Sequence, residues 1–168
     1  MESLIRTATP ADLTSLIEIF RACWLTSYAD ILAKPVRDAM SDEKAREMWA
    51  LAVEPHSERT TFVIEVSDNV VGVARVGRDV TNGERGHLFS LYVHPHNSGL
   101  GLGKKLLRHS LSFLRQSSFE EISLWVFKNN VPTRRLYSSQ GFLETGNERI
   151  DDRWKNPEIE MLASSKLF

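Results

Sequence analysis

The apolar positions change period several times along this chain, and each change marks an element. Leu13, Leu16, Ile17, Phe20 and Trp24 recur at three- and four-residue intervals, one face of a helix. Thr9-Pro10-Ala11-Asp12 before them supplies an N-cap type, a proline at the first helical position and an acid in the first turn. A short strand at Leu4 to Thr7 precedes that start. Ser41, with Asp42 and Glu43 behind it, opens a second helical region to Val53. The pattern then turns β-branched and aromatic. Thr60 to Val66 and Val70 to Val76, separated by Ser67-Asp68-Asn69, predict a hairpin, and Arg85 to Val93 predicts another strand. Helical spacing returns from Leu102 to Gln116, with Leu107, Leu111 and Leu114 on one face. An apolar strand follows over Glu121 to Phe127. Asn130-Val131-Pro132 opens a short helix that Gly141 closes, Phe142-Leu143 begins a further strand, and Ile159 to Leu162 forms the last one. This order predicts an α/β (α+β) fold, a single domain over residues 1–168 in three layers around a central mixed sheet.

Composition narrows the function classes. The chain has 168 residues, 42% hydrophobic and 26% charged, enough for one core. Its 21 basic residues against 22 acidic ones leave no basic surplus for nucleic acid or anionic membrane. The single cysteine, Cys23, sits among Phe20 and Trp24 and reads as a small core residue, with no disulfide and no metal site expected. Neither a signal segment nor an apolar run of about 20 residues is evident, so the expected compartment is the cytoplasm.

The chemistry concentrates where the strand ending at Val93 meets the helix beginning near Leu102. Glycines at 99, 101 and 103 let the backbone turn and approach a ligand, and the free N–H groups of a helix start face anions. A Walker spacing fails, because Ser98 and Lys105 stand where glycine and Ser/Thr are required. A Rossmann spacing fails as well, because Lys104 or Leu106 stands at the third glycine.

The segment resembles the acetyl-CoA loop of the GNAT superfamily of N-acetyltransferases, [Q/R]-x-x-G-x-[G/A] after a strand ending in Val-x-Pro. Here it reads Ser98-Gly99-Leu100-Gly101-Leu102-Gly103, followed by Lys104; Ser98 departs from the usual Gln or Arg. Asn130-Val131-Pro132-Thr133-Arg134-Arg135-Leu136-Tyr137 with Gly141-Phe142 resembles the family's N-x-x-[A/T]-x-x-[L/F]-Y-x-x-x-G-F, and Ile5 to Asp12 resembles its opening. The likeness spans nearly the whole chain. It implies a mixed, mostly antiparallel sheet with helices on both faces, acetyl-CoA as donor, pyrophosphate held by residues 98–104, and pantetheine touched by Asn130. It also implies a bulge near Leu91, Tyr92 and Val93 whose amides hold the acetyl oxygen, and Tyr137 as proton donor to the CoA sulfur. His87 aligns with a position where relatives often carry a glutamate base, and Glu84 is its alternate. Strand alternation would put His87, Phe89 and Leu91 on one face.

Each assignment has a plainer alternative at this stage: Tyr137 as a core aromatic, Asn130 as an N-cap, His87 as a surface strand end. In this superfamily the acceptor is selected by the first two helices and a late loop, here residues 19–53 and 144–157. Trp24 and Tyr28, four apart, would share a helix face, and Asp151 and Trp154 lie in the late segment. Together they would give an aromatic, acidic pocket for a cationic amine, or merely packing residues and a solvated loop. The expected acceptor is a small-molecule amine, with a protein amine or a silent CoA sensor as alternatives, and the expected assembly is a monomer or homodimer.

Overall fold

The computed structural model describes residues 2–55 and 58–168. Seven strands form one sheet: β1 Leu4–Thr7, β2 Arg59–Val66, β3 Asn69–Arg78, β4 Gly86–Val93, β5 Glu121–Phe127, β6 Leu143–Ile150 and β7 Pro157–Ser164. They lie in the order β1-β2-β3-β4-β5-β7-β6. Every neighbouring pair is antiparallel except β4 and β5. The helices are α1 Leu13–Leu25, α2 Lys34–Asp38, α3 Asp42–Val53, α4 Leu102–Gln116 and α5 Val131–Ser139.

Two apolar layers flank the sheet. Leu106, Leu107, Leu111 and Leu114 of α4 are completely buried against Val76, Leu88, Ile122 and Leu124, with Tyr137 and Phe142 joining from the α5 side. On the opposite face, Phe20, Cys23 and Trp24 of α1 pack with Trp49 of α3 over Val63 and Val73. Burying one such leucine or phenylalanine contributes about 1.5–3 kcal/mol. The sequence-predicted helix 102–116 and strand 121–127 appear with those boundaries. The sequence pattern did not predict α2. Residues 144–157, expected as a loop, begin as strand β6, whose residues are exposed throughout and so carry no apolar alternation.

The site is opened by two irregularities in β4. First, Arg75 pairs with Ser90 but Val76 pairs with Leu88, so Phe89 is an extra residue in the ladder. The bulge thus lies upstream of the expected 91–93. It also reverses side-chain parity: Leu91 joins the α4 layer, while Tyr92 joins the α1/α3 layer and His87 lies on the face opposite Leu88. The expectation that His87 and Leu91 share a face fails for that reason. Second, β4 pairs with β5 only from Gly86 to Leu88, against Ile122 to Leu124. Beyond that point β4 stays with β3 and β5 stays with β7, leaving a wedge between them.

Candidate active site

The wedge contains a cavity of about 250 Å³, lined by β4, β5, α1, α3, α5 and the segment after β6. His94 donates its amide to Val71 on the β3 side. By strand alternation the amides of Leu91 and Val93 then face away from β3, toward the unpaired wedge. Val93 O accepts a hydrogen bond from the buried Cys23 thiol at 3.2 Å, and burial pushes that thiol up to about 11. Cys23 is therefore held protonated and is a poor nucleophile.

At the end of β4 the chain enters the glycine loop. Gly99 and Gly101 adopt φ of 77° and 75°, a left-handed conformation that strains residues with a side chain. Lys105 is the first residue of α4 to return a backbone hydrogen bond, to Gly101 O. Among the described residues the amides of residues 99–104 have no backbone acceptor, so a row of donors stands at a helix N-terminus. A Cβ at Gly99 or Gly101 would meet nothing within 4 Å, so open space lies beside those amides. This cradle fits a pyrophosphate. Ser98 and Leu100 are exposed, and Ser98 donates its amide to Pro95 O.

On the other wall, Asn130 is the N-cap of α5 and accepts from the Thr133 amide at 3.3 Å. Its amide nitrogen has no partner among the described residues, so capping leaves a donor for the cavity that it lines. Tyr137 is 6% exposed, lines the cavity and stacks near Phe142 at 5.9 Å. Its hydroxyl makes no hydrogen bond among the described residues. Burial, and then the neighbouring Tyr92, raise its ionisation far above the ordinary phenol value, so the proton stays on oxygen.

His87 is buried at the closed end of the wedge. Its Nδ1 lies 2.7 Å from Ser123 Oγ, and Ser123 Oγ lies 2.5 Å from Asp79 Oδ2. Burial alone would raise the Asp79 carboxyl. Hydrogen bonds from His87, Ser123 and Thr81 outweigh it and hold the group well below the ordinary carboxylate value. Asp79 is thus a pure acceptor. Ser123 has one proton and gives it to Asp79, so it must accept from His87 Nδ1–H. In the neutral imidazole that places the proton on Nδ1 and the lone pair on Nε2. Glu84 is exposed in the β3–β4 turn and does not line the cavity.

The acetyltransferase (GNAT) family model matches residues 13–142. The chain belongs to the GNAT family. Over 129 residues it is 24% identical to the N-acetyltransferase YuaI of Bacillus subtilis, covering 75% of this chain and 72% of that one. Over 80 residues it is 35% identical to a mycothiol acetyltransferase of Acidothermus cellulolyticus, covering 44% of this chain but only 24% of that longer relative. The fold is that of PaiA N-acetyltransferase from Thermoplasma acidophilum, a structure in complex with coenzyme A, with TM-score 0.77, 20% identity, and coverage of 98% and 99% of the two chains.

Within this GNAT chain the expected acceptor residues separate. Trp24 and Trp154 both line the cavity, ring centroids 5.2 Å apart. Trp24 is otherwise core, its indole donating to Arg37 O. Tyr28 lies beyond the end of α1, so it does not share a helix face with Trp24, although the rings meet at 5.8 Å. Asp151 does not line the cavity; it pairs with Arg153 at 2.5 Å and caps the turn after β6. The expected acidic pocket is therefore absent. Arg59, Arg75, Arg149 and Arg153 line the cavity, against Glu158 as its one carboxylate among the described residues. The sequence reading missed Asp79, Ser123 and these arginines. Ser123 alone had a signal, as the polar residue inside Ile122-Ser123-Leu124-Trp125-Val126.

Proposed function

We propose that this GNAT protein moves the acetyl group of acetyl-CoA to a primary amine on a small molecule, by direct attack while both are bound. The observation that carries the reading is the set of groups around the end of β4: an anion cradle where the strand runs into α4, strand amides freed from pairing, and an imidazole and a phenol that line one cavity. Residues 98–104 would hold the pyrophosphate and Asn130 the pantetheine arm. Acetyl-CoA supplies a thioester, an acyl group already activated toward amines.

The chain's own groups divide the remaining work. An alkylammonium, with a reference pKa of about 10.4, has no lone pair until it loses a proton. His87 Nε2, with Nδ1 anchored through Ser123 to Asp79, accepts that proton directly or through water. The amides of Leu91 and Val93 are fixed donors for the carbonyl oxygen as it gains charge, and need no reorganisation. Tyr137 keeps its proton at the sulfur side of the wedge for the leaving thiolate. The buried Cys23, protonated and bonded to Val93 O, favours direct transfer over an acetyl-cysteine intermediate. The cavity of about 250 Å³ suits a small acceptor.

Release of CoA thiol on addition of a panel of small amines and, separately, of peptides tests this reading. Faster turnover of peptides would overturn the choice of acceptor. Absence of thiol release with every amine, while acetyl-CoA still binds, would overturn the transfer itself.

A further inference from the structure

The cavity's charge does not fit a cationic amine pocket, one of the two readings that the sequence left open. Two of its arginines are already neutralised: Arg149 pairs with Glu158 at 2.7 Å and lies over Trp125, and Arg153 pairs with Asp151 and lies over Trp154. The other two are not. Neither Arg59 nor Arg75 has a carboxylate in ion-pair range among the described residues. They are neighbours on adjoining strands, since Arg75 pairs with Thr61 and Arg59 pairs with Gly77. Arg75 Nη2 donates to Leu51 O of α3 at 3.2 Å, which fixes the guanidinium, while its Nε is buried without a partner. Burial, then the adjacent Arg59 charge, lower the Arg75 ionisation from its ordinary value, as expected for like charges lacking a counter-ion.

A second observation points the same way. Among the described residues, two buried side-chain polar atoms lack a hydrogen-bond partner: Arg75 Nε and Trp49 Nε1. Both are donors, and both belong to residues that line this cavity. Buried donors without acceptors are costly, so a site holding two is matched to an acceptor-rich ligand. The pyrophosphate is not that ligand. Arg75 pairs with Ser90, whereas the glycine loop begins beyond Val93, which pairs with Gly72. Three residues of strand, on the order of 10 Å, already separate the two places.

The bulge sets the spacing between this basic corner and the base. The extra residue Phe89 lies between them, its ring 4.7 Å from the His87 ring and 4.3 Å beneath the Arg59 guanidinium. We infer that the acceptor is an amine that also carries a carboxylate, an α-amino acid or a close analogue, with its amine at His87 and its carboxylate held by Arg59 and Arg75. This deepens the transferase reading and rests on it only for the fate of the amine. The anion site itself stands on the arginines. Guanidinium forks match carboxylate geometry and, on a rigid sheet face, orient the acceptor before attack.

The test compares wild-type turnover of α-amino acids with acidic, aliphatic and aromatic side chains, each as the free acid and as its carboxamide. The free acid should exceed its carboxamide by about 10²-fold or more in kcat/KM, as expected from two charge-assisted hydrogen bonds. Arg59→Gln should remove most of that preference through KM for the acid and leave KM for acetyl-CoA unchanged. Arg75→Lys, which keeps a charge, should retain part of it. Equal rates for acid and amide, or preference for amines without a carboxylate, overturn the inference and leave the transferase reading intact. Titration of the CoA-bound protein with the N-acetylated amino acids, followed by tryptophan fluorescence, needs no turnover. Saturable binding lost in Arg59→Gln supports the anion site even if no acetyl transfer occurs. If neither turnover nor titration distinguishes carboxylate from carboxamide, the site is not one for a carboxylate.

Discussion

In the proposed mechanism His87 and Tyr137 divide the proton transfers between two side chains whose surroundings differ. Asp79, held ionised, orients Ser123, and Ser123 holds the imidazole at Nδ1, which places the lone pair on Nε2. His87→Gln keeps a hydrogen-bonding side chain but no basic nitrogen, so kcat should fall by about 10²-fold or more. Initial rates at saturating acetyl-CoA measure it, and an unchanged kcat would move the base elsewhere. Ser123→Ala should act in the same direction but more weakly, because it releases the ring without removing it. Tyr137→Phe removes one oxygen and keeps the packing against Phe142. It should lower kcat by about 10²-fold with little change in acetyl-CoA affinity by calorimetry. Because the phenol is raised above its ordinary value near 10, its proton is retained below that pH, so wild-type kcat should show no alkaline fall from this group up to about pH 10. Full kcat in Tyr137→Phe would make the tyrosine structural. Tyr137 and Asn130 could be named from the sequence because they recur in a motif of fixed spacing on one helix. Asp79 and Ser123 could not, because they meet His87 only across neighbouring strands, 44 residues apart in the chain. Arg59 and Arg75 belong to no motif, and only the pairing of β2 with β3 brings them together.

Among the elements, the loop leading into α4 and the first turn after β1 are each set by a few residues. Gly101 is the α4 N-cap with φ 75°, and an added Cβ there would meet no atom within 4 Å. Gly101→Val should therefore leave the fold in place at a cost of about 1–2 kcal/mol of backbone strain, while it distorts and obstructs the amide row. Acetyl-CoA binding by calorimetry should disappear while the circular dichroism of the native chain remains; undiminished affinity would remove the cradle from the account. At the other end, Arg6 on β1 bonds to both Asp12 and Glu65, and Asp12 also accepts from the Thr9 amide at 2.7 Å. The Arg6 hydrogen bonds, offset by burial, leave the Asp12 carboxyl at about 2, below its unfolded value of 3.8. A depressed carboxyl stabilises the fold above its unfolded value, and that contribution is lost as pH falls from about 4 toward 2. After allowance for solvent at the half-exposed Arg6, the effect is about 1–2 kcal/mol. Asp12→Asn should lower stability at pH 7 and flatten its fall over that acid window, read from urea midpoints. Strongly periodic elements such as α4 and β5 were legible in the sequence to their ends. The bulge at Phe89 was not, because an extra residue leaves no mark in composition, and a shift of two positions changes which side chains face the acceptor.

For the molecule as a whole, the cavity depends on a sheet that comes apart. β4 and β5 are held together by pairing from Gly86 to Leu88, and each then follows its other neighbour, so the wedge is built into strand order rather than added by loops. The two apolar layers hold that shape from opposite faces. No helix among the described residues is long and apolar enough to cross a membrane. In the proposed reaction acetyl leaves CoA and arrives on an acceptor nitrogen without resting on the protein. The decisive measurement is mass spectrometry of a single mixture of protein, acetyl-CoA labelled in its acetyl carbons and a panel of primary amines that includes α-amino acids. Direct transfer gives labelled N-acetyl product in step with free CoA and an unchanged protein mass. Labelled acetyl accumulating on the protein, or CoA binding with no N-acetyl product from any amine of the panel, would rule direct transfer out.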